Sequence, residues 1–315
     1  MSKPLLSICI PTFNRCEYLK NTLNSIVVQP ECRDQRVEVV ISDNASEDKT
    51  PEVCAECCRQ YPNVHYHRNV RNVRDENFPL ALQKANGILR KLNNDTYILD
   101  QGILSVLCRL VEEYKTSRPL LFFTDANRKN TVNGVISFRE FVEQTGYMVT
   151  WLGGFSIWED ECEGTEGDRD ACGLHLWQVK KAYELGNRKD ACVIYGGRLG
   201  ETQQVPGKDI SYGVYEVFYK NYLSLLKPYV LNQSLPSETY ETVRKDLLYN
   251  FFTDSILNWE LQRNEMKYSE EEDFKKAVFD AYKNEPYWDA YQTFYNKKLR
   301  KRKIKLFFRN LFGRR

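Results

Sequence analysis

The 315-residue sequence lacks any run approaching the roughly 18 apolar residues that a membrane-spanning helix needs. Neither GxGxxG nor GxxxxGK followed by Ser or Thr occurs, which argues against dinucleotide oxidoreductases and P-loop enzymes. No repeat and no low-complexity linker divides the chain. Met1-Ser2-Lys3-Pro4 leads straight into a strand-like segment, with no leader pattern. Cys54, Cys57 and Cys58 have no second Cys/His pair at a zinc-binding spacing, so they read as packed thiols on a helix face. The expectation is a cytoplasmic chain whose ten cysteines stay reduced.

Hydrophobic residues make up 42% of the chain and charged residues 28%, enough apolar matter for a sizeable core. The net charge of +2 conceals an asymmetry. Ten of the 45 Lys/Arg and none of the 43 Asp/Glu fall in residues 297–315, leaving an acidic body and a basic tail.

Over the first 125 residues, short β-rich runs alternate with helical patterns, which predicts a mostly parallel sheet flanked by helices. Leu5 to Ile10, Val37 to Ser42, Val64 to His67, Ile88 to Leu92 and Leu120 to Thr124 read as strands. Leu19, Leu23, Ile26 and Val27 recur at helical spacing, and Ser46 reads as the cap of the next helix. After about residue 130 the strands thin out and helical stretches dominate, with most of the 20 tyrosines. The expected divisions are 1–125, 126–230, a helical extension over 231–296 and a basic amphipathic tail over 297–315.

Ligands of open parallel sheets bind at the carboxyl ends of the strands. Three polar clusters stand at such ends: Pro11-Thr12-Phe13-Asn14-Arg15, Ser42-Asp43-Asn44-Ala45-Ser46 and Asn93-Asn94-Asp95-Thr96. Taken singly, each reads as an ordinary turn or helix cap. Their order and spacing are more telling. Leu6 to Arg15, Val39 to Thr50, Arg68-Asn69, Asn77, Ala85-Asn86-Gly87 and Leu92 to Thr96 together resemble the inverting family 2 glycosyltransferases of the GT-A fold. Thr150 to Ile157 and Gly173 to Leu176 resemble the bacterial O-antigen and capsule branch of that family. The resemblance implies a Rossmann-like α/β fold and transfer of a sugar from a nucleotide-sugar donor to a saccharide or lipid-linked acceptor.

It also implies roles for particular side chains. Asp43 would accept from a nucleobase N–H, while Pro11 and Thr12 line the nucleoside pocket and Arg15 faces the phosphates. Asn14, Asn44, Asn69 and Asn94 belong to the same donor-binding set. Asp95, with Asn93, would hold Mg²⁺ or Mn²⁺ against the diphosphate, since hard oxygen ligands suit those cations. Here Asn93-Asn94-Asp95 replaces the usual Asp-x-Asp, so a lone carboxylate implies a weaker metal site, with the cation either loaded together with the donor or less important than usual. Arg90 and Lys91 also stand where an apolar strand is usual.

Inverting transfer needs a base for the acceptor hydroxyl, expected well after the metal motif near a helix start. Asp170, then Asp168, is the candidate, among neighbours that include Glu166. His175, between Leu174 and Leu176, reads as a partly buried, satisfied histidine, with metal or diphosphate binding as the alternative.

In the tail, Ile304, Phe307, Phe308 and Leu311 fall at i, i+3, i+4 and i+7 behind a run of Lys and Arg. A basic helix with an aromatic stripe suits the interface of an anionic membrane. The expected place is the inner face of the cell membrane. The acidic body argues against a nucleic-acid partner. A degenerate, non-catalytic nucleotide- or glycan-binding scaffold is the competing reading, motivated by the missing second aspartate.

Overall fold

Strand β1 (Leu6–Thr12) is buried along all seven residues, as a near-continuous apolar run must be when both faces of a parallel sheet are covered. It pairs in parallel with β2 (Val37–Asp43), also wholly buried, and with β4 (Leu89–Leu92). The computed structural model describes residues 3–125, 134–162, 169–206, 209–210, 212–261, 267–268 and 274–312. With β3 (Val64–Arg68) outside β2, and β7 (Ser156–Trp158) antiparallel beside β4, the sheet runs β3-β2-β1-β4-β7. Two further pairs are β5 (Tyr97–Leu99) antiparallel to β9 (Gly200–Thr202), and β6 (Leu120–Phe123) parallel to β8 (Cys192–Tyr195). This is the expected mostly parallel α/β sheet.

Helices α1 (Cys16–Val27), α2 (Pro30–Arg33), α3 (Thr50–Gln60), α4 (Asn77–Gln83) and α5 (Ile103–Tyr114) fill the crossovers. The apolar stripe of α1, Leu19, Leu23, Ile26 and Val27, is buried as its spacing predicts. It joins Leu6, Ile8 and Ile10 of β1 and Leu104, Leu107 and Val111 of α5 in one core. Burial of such a side chain contributes roughly 1.5–3 kcal/mol. Helix α3 begins later than expected. Ser46 does not cap it; the Ser46 hydroxyl accepts from Asn14 N–H, and Asp48 accepts from Thr50 N–H at the helix start. Helices α6 (Phe138–Thr145), α7 (Arg169–Gly173) and α8 (Trp177–Lys189) complete the compact unit Met1–Val205.

A second compact unit, Pro206–Arg315, is built from α9 (Tyr222–Leu231), α10 (Ser237–Asp246), α11 (Thr253–Glu260), α12 (Phe274–Tyr282) and α13 (Trp288–Phe312). A short parallel pair, β10 (Asp209–Ile210) and β11 (Lys267–Tyr268), accompanies them. Segments Glu216–Asn221 and Leu247–Phe252 are π-helical. Arg244 is held among the aromatic residues of this unit: its guanidinium lies 4.9 Å from the Tyr282 ring centre and donates to Ala281 O at 2.9 Å. Residues 297–312 of the basic tail form the last part of α13. Lys298 pairs with Asp254 at 2.9 Å and Arg302 donates to Asn258 at 2.6 Å, while Ile304, Phe307, Phe308 and Leu311 are exposed.

Candidate active site

The carboxyl ends of β1, β2 and β4 lie side by side because those strands are parallel neighbours. Thr12 stands opposite Asp43 in the β1–β2 register, and Asn44 N–H donates to Thr12 O at 2.9 Å. The loops that follow are stapled to each other. Asn14 N–H donates to Ser46 Oγ at 2.9 Å, and Glu47 N–H donates to Asn14 Oδ1 at 2.7 Å. Asn14 and Ala45 both take a left-handed backbone, with φ of 52° and 64°. Asparagine tolerates that conformation, whereas alanine at positive φ is strained and is held there by its surroundings.

Asp43 is fully buried, and its carboxylate is engaged on both oxygens. Oδ1 accepts from Ser46 N–H at 2.9 Å and Oδ2 from the Tyr66 hydroxyl at 2.7 Å, with Arg68 Nε at 3.6 Å. Burial first, and then the carboxylate, push the Tyr66 phenol well above its ordinary range, so it stays a donor. The residues after β3 are bound to β2 by amides. Asn69 N–H donates to Asp43 O at 2.8 Å, and Asn69 Nδ2 donates to Asn77 Oδ1 at 2.9 Å. Asn44 Nδ2 donates to Asn72 Oδ1 at 2.8 Å and to Arg74 O at 3.2 Å, while Asn44 Oδ1 accepts from Val73 N–H at 2.8 Å.

The loop after β4 closes on the same place. Asn93 N–H continues the ladder to Cys9 O at 2.9 Å. Asn93 Nδ2 donates to Asn94 O and Tyr97 O, turning the chain. Thr12 Oγ1 donates to Asp95 Oδ2 at 3.0 Å, and Thr22 Oγ1 donates to Asp95 O at 2.9 Å. The structure thus brings together Thr12, Asn14, Asp43, Asn44, Asn69, Asn93, Asn94 and Asp95; Pro11 is buried near the end of β1 and Arg15 precedes α1.

Among the described residues no group of three or more His, Cys, Asp or Glu could hold a metal. The local donors nevertheless fit a hard cation brought in with a diphosphate. Asp95 contributes a partly exposed carboxylate. The buried Oδ1 atoms of Asn93 and Asn94 have no protein hydrogen-bond partner. Orphaned buried acceptors of this kind are rare.

Lys91 explains why β4 is not purely apolar. It is fully buried, donates to Gly153 O at 2.5 Å and Leu92 O at 3.1 Å, and lies 5.2 Å from the Phe123 ring centre and 5.8 Å from that of Trp151. Burial pushes its ammonium down to about 7, with Asp125 and Cys9 opposing the shift. Neighbouring Arg90 donates to Leu82 O at 3.0 Å.

Asp168 lies outside the described residues. Asp170 is exposed in the first turn of α7. His175 stands just before α8, and its Nδ1 is 2.9 Å from Asp75 Oδ2. Sequence reasoning left out Tyr66, Asn72 and Asp75, whose parts depend on contacts between strands and loops. Only the alternation of β3 hinted at Tyr66.

Residues 7–113 match the family description "Glycosyl transferase family 2". The abequosyltransferase RfbV of Salmonella typhimurium is 42% identical over 137 residues, a match that covers 43% of this chain and 39% of the relative. Staphylococcus aureus TarS 1-349, solved in complex with UDP, superposes with a TM-score of 0.56 at 15% identity, covering 81% of this chain and 77% of that one. The mannosyltransferase PcManGT of Pyrobaculum calidifontis, solved with GDP-Man and Mn²⁺, superposes with a TM-score of 0.51 at 13% identity, covering 100% and 89%. The expected GT-A fold and the family 2 resemblance of the N-terminal segment are both borne out.

Proposed function

We propose that this chain is an inverting glycosyltransferase of bacterial polysaccharide biosynthesis. It transfers a sugar from a nucleotide-sugar donor to a saccharide or lipid-linked saccharide. The observation that carries this reading is the hydrogen bond from Thr12 to Asp95, which ties the proposed nucleoside loops and the proposed diphosphate loop into one cleft. The family 2 match over residues 7–113 supports it independently.

In this reading Pro11, Thr12, Asn14, Asn44 and Asn69 shape the nucleoside pocket. Asp43 accepts a nucleobase N–H when the Tyr66 hydroxyl gives up its place on Oδ2. Arg15 offsets phosphate charge. Asp95, Asn93 and Asn94 hold Mg²⁺ or Mn²⁺ together with the donor. When bound, the cation offsets the charge that develops on the departing diphosphate. The acceptor proton goes to a base near the start of α7, where Asp170 stands; Asp168 is the other candidate. The exposed Ile304, Phe307, Phe308 and Leu311, with the surrounding cations, support a peripheral place on the anionic inner face of the cell membrane.

The test combines calorimetry of UDP, GDP, CDP and dTDP binding in the presence of Mn²⁺ with release of nucleotide from the matching nucleotide sugars. Binding together with turnover is expected, and Asp43→Ala and Asp95→Ala should each lose most of it. Turnover in both variants at the native rate would remove the site. Binding with no turnover of any donor would favour the scaffold reading.

A further inference from the structure

We infer that Gln203 is a positioning residue for the donor site, fixing the backbone that aims the Asp95 carboxylate. This rests on the glycosyl-transfer reading above and adds to it one residue from a segment outside the three polar clusters.

The amide is oriented by its partners. Gln203 Oε1 accepts from Asn21 Nδ2 at 2.9 Å, so Nε2 is the donor, to Tyr18 O at 3.0 Å and to Thr22 Oγ1 at 3.2 Å. A hydroxyl has one proton to give. With Gln203 donating to it, Thr22 Oγ1 gives that proton to Asp95 O at 2.9 Å. The chain from Gln203 through Thr22 to Asp95 therefore runs in one direction, and each bond polarises the next.

The main chain of Gln203 acts on the same loop. Tyr97 stands opposite Thr202 in the antiparallel β5–β9 register, and Gln203 N–H extends that ladder to Thr96 O at 2.8 Å. Three contacts thus hold the loop around Asp95. Thr12 Oγ1 donates to its carboxylate, Thr22 Oγ1 to its carbonyl, and Gln203 N–H to the carbonyl of the next residue. Gln203 governs two of the three.

Two observations separate this from ordinary packing. Gln203 is only half-buried, where water could satisfy its amide without the rotamer entropy lost in fixing a glutamine. The amide is committed instead to three partners, all in α1. The second observation is that Asp95 is the one carboxylate in Asn93-Asn94-Asp95. A cation held through a single charged side chain depends on where that side chain points. Groups that orient a metal ligand commonly govern about 10- to 100-fold in affinity or activity.

The experiment uses the full chain as native protein, Gln203→Leu, Thr22→Val, the double variant and Thr22→Ser, which keeps the hydroxyl. Calorimetry measures binding of UDP, GDP, CDP and dTDP across a Mn²⁺ titration, and nucleotide release from the matching sugars is followed in parallel. Gln203→Leu should raise the Mn²⁺ needed for half-maximal binding and release about tenfold, with Mn²⁺-free affinity within about threefold of native. Its thermal midpoint should move by no more than about 4 °C. Thr22→Val should shift the Mn²⁺ requirement likewise, and Thr22→Ser should leave it near native. The double variant should be no worse than the more affected single one, since both changes break one chain. Without any ligand, hydrogen exchange over residues 93–97 should quicken in Gln203→Leu.

Native Mn²⁺ dependence in Gln203→Leu overturns the assignment. So does an equal loss of Mn²⁺-free affinity, a fully additive double variant, or unchanged exchange over residues 93–97. Release of nucleotide by a native protein indifferent to Mn²⁺ overturns it too, while leaving glycosyl transfer standing. A native protein that neither binds these nucleotides nor releases them from their sugars overturns the glycosyl-transfer reading itself, and this assignment with it.

Discussion

Thr12 Oγ1 donates to Asp95 Oδ2 across 3.0 Å, joining the end of β1 to the loop after β4. The same residue accepts from Asn44 N–H through its carbonyl at 2.9 Å, so one threonine ties the loops after β2 and β4 to the end of β1. A hydrogen bond to a charged acceptor contributes about 1.5–3 kcal/mol. Thr12→Val keeps the shape and removes the hydroxyl. Expected are a stability loss of about 1–2 kcal/mol in urea unfolding and a fall in donor turnover of roughly tenfold. Native turnover in this variant would separate the bridge from function.

Asp95→Asn should cost more in turnover than in stability. The replacement keeps an oxygen for Thr12 but removes the lone carboxylate of the proposed cation site. A fall of about 100-fold or more in donor turnover is expected, with weaker Mn²⁺ dependence of nucleotide binding. Calorimetry at several Mn²⁺ concentrations checks the second part.

Asp43 carries a structural burden as well. Asp43→Ala leaves the Tyr66 hydroxyl and Ser46 N–H without their acceptor in a buried place. Each orphaned group costs about 1–3 kcal/mol. Tyr66→Phe loses only one donor, so it should cost clearly less. A thermal-unfolding series that ranked Tyr66→Phe below Asp43→Ala in stability would contradict this account.

Lys91 makes a prediction with a definite sign. In the folded protein burial holds its ammonium down to about 7, whereas an unfolded lysine titrates near 10.4. Between those values the unfolded chain binds more protons, so this group makes stability rise with pH across that window. Below about 7 the folded state carries the buried charge and its full cost. Lys91→Met should therefore stabilise most at pH 6–7, by roughly 1–4 kcal/mol, and the gain should shrink as pH approaches 10. Urea midpoints of both proteins at pH 6.5 and 9.5 give the answer.

The tail prediction concerns surfaces. Phe307, Phe308 and Leu311 are 62%, 52% and 58% exposed, beside cations that each contribute about 1 kcal/mol near an anionic bilayer. Replacing the three by Ser should abolish co-sedimentation with phosphatidylglycerol vesicles while leaving nucleotide affinity unchanged. Raising salt should weaken binding of the native protein without eliminating it, because the apolar stripe is indifferent to screening.

Much of the first unit was legible in the sequence because its signals are local. Buried strands such as Val37 to Asp43 and the stripe of α1 follow from short periodicities, and the three polar clusters mark strand ends directly. What stayed hidden depends on distant partners. The start of α3 shifted because Ser46 was recruited by Asn14, 32 residues away. Tyr66 and Asp75 carry no motif; their roles come from meeting Asp43 and His175, the latter 100 residues along the chain. Lys91 looked out of place in a strand only because the carbonyl and ring faces that receive it come from later segments.

The ten cysteines, with no disulfide between them, give the protein a built-in set of chemical reporters. Desolvation raises the thiols of Cys9, Cys54 and Cys192, so alkylating reagents will find them slow. Cys16, at the start of α1, and Cys172, in α7, are partly accessible. A bound ligand that shields one and spares the other would thus register in a mass spectrum of the unmutated polypeptide, reporting which of the two positions it covers.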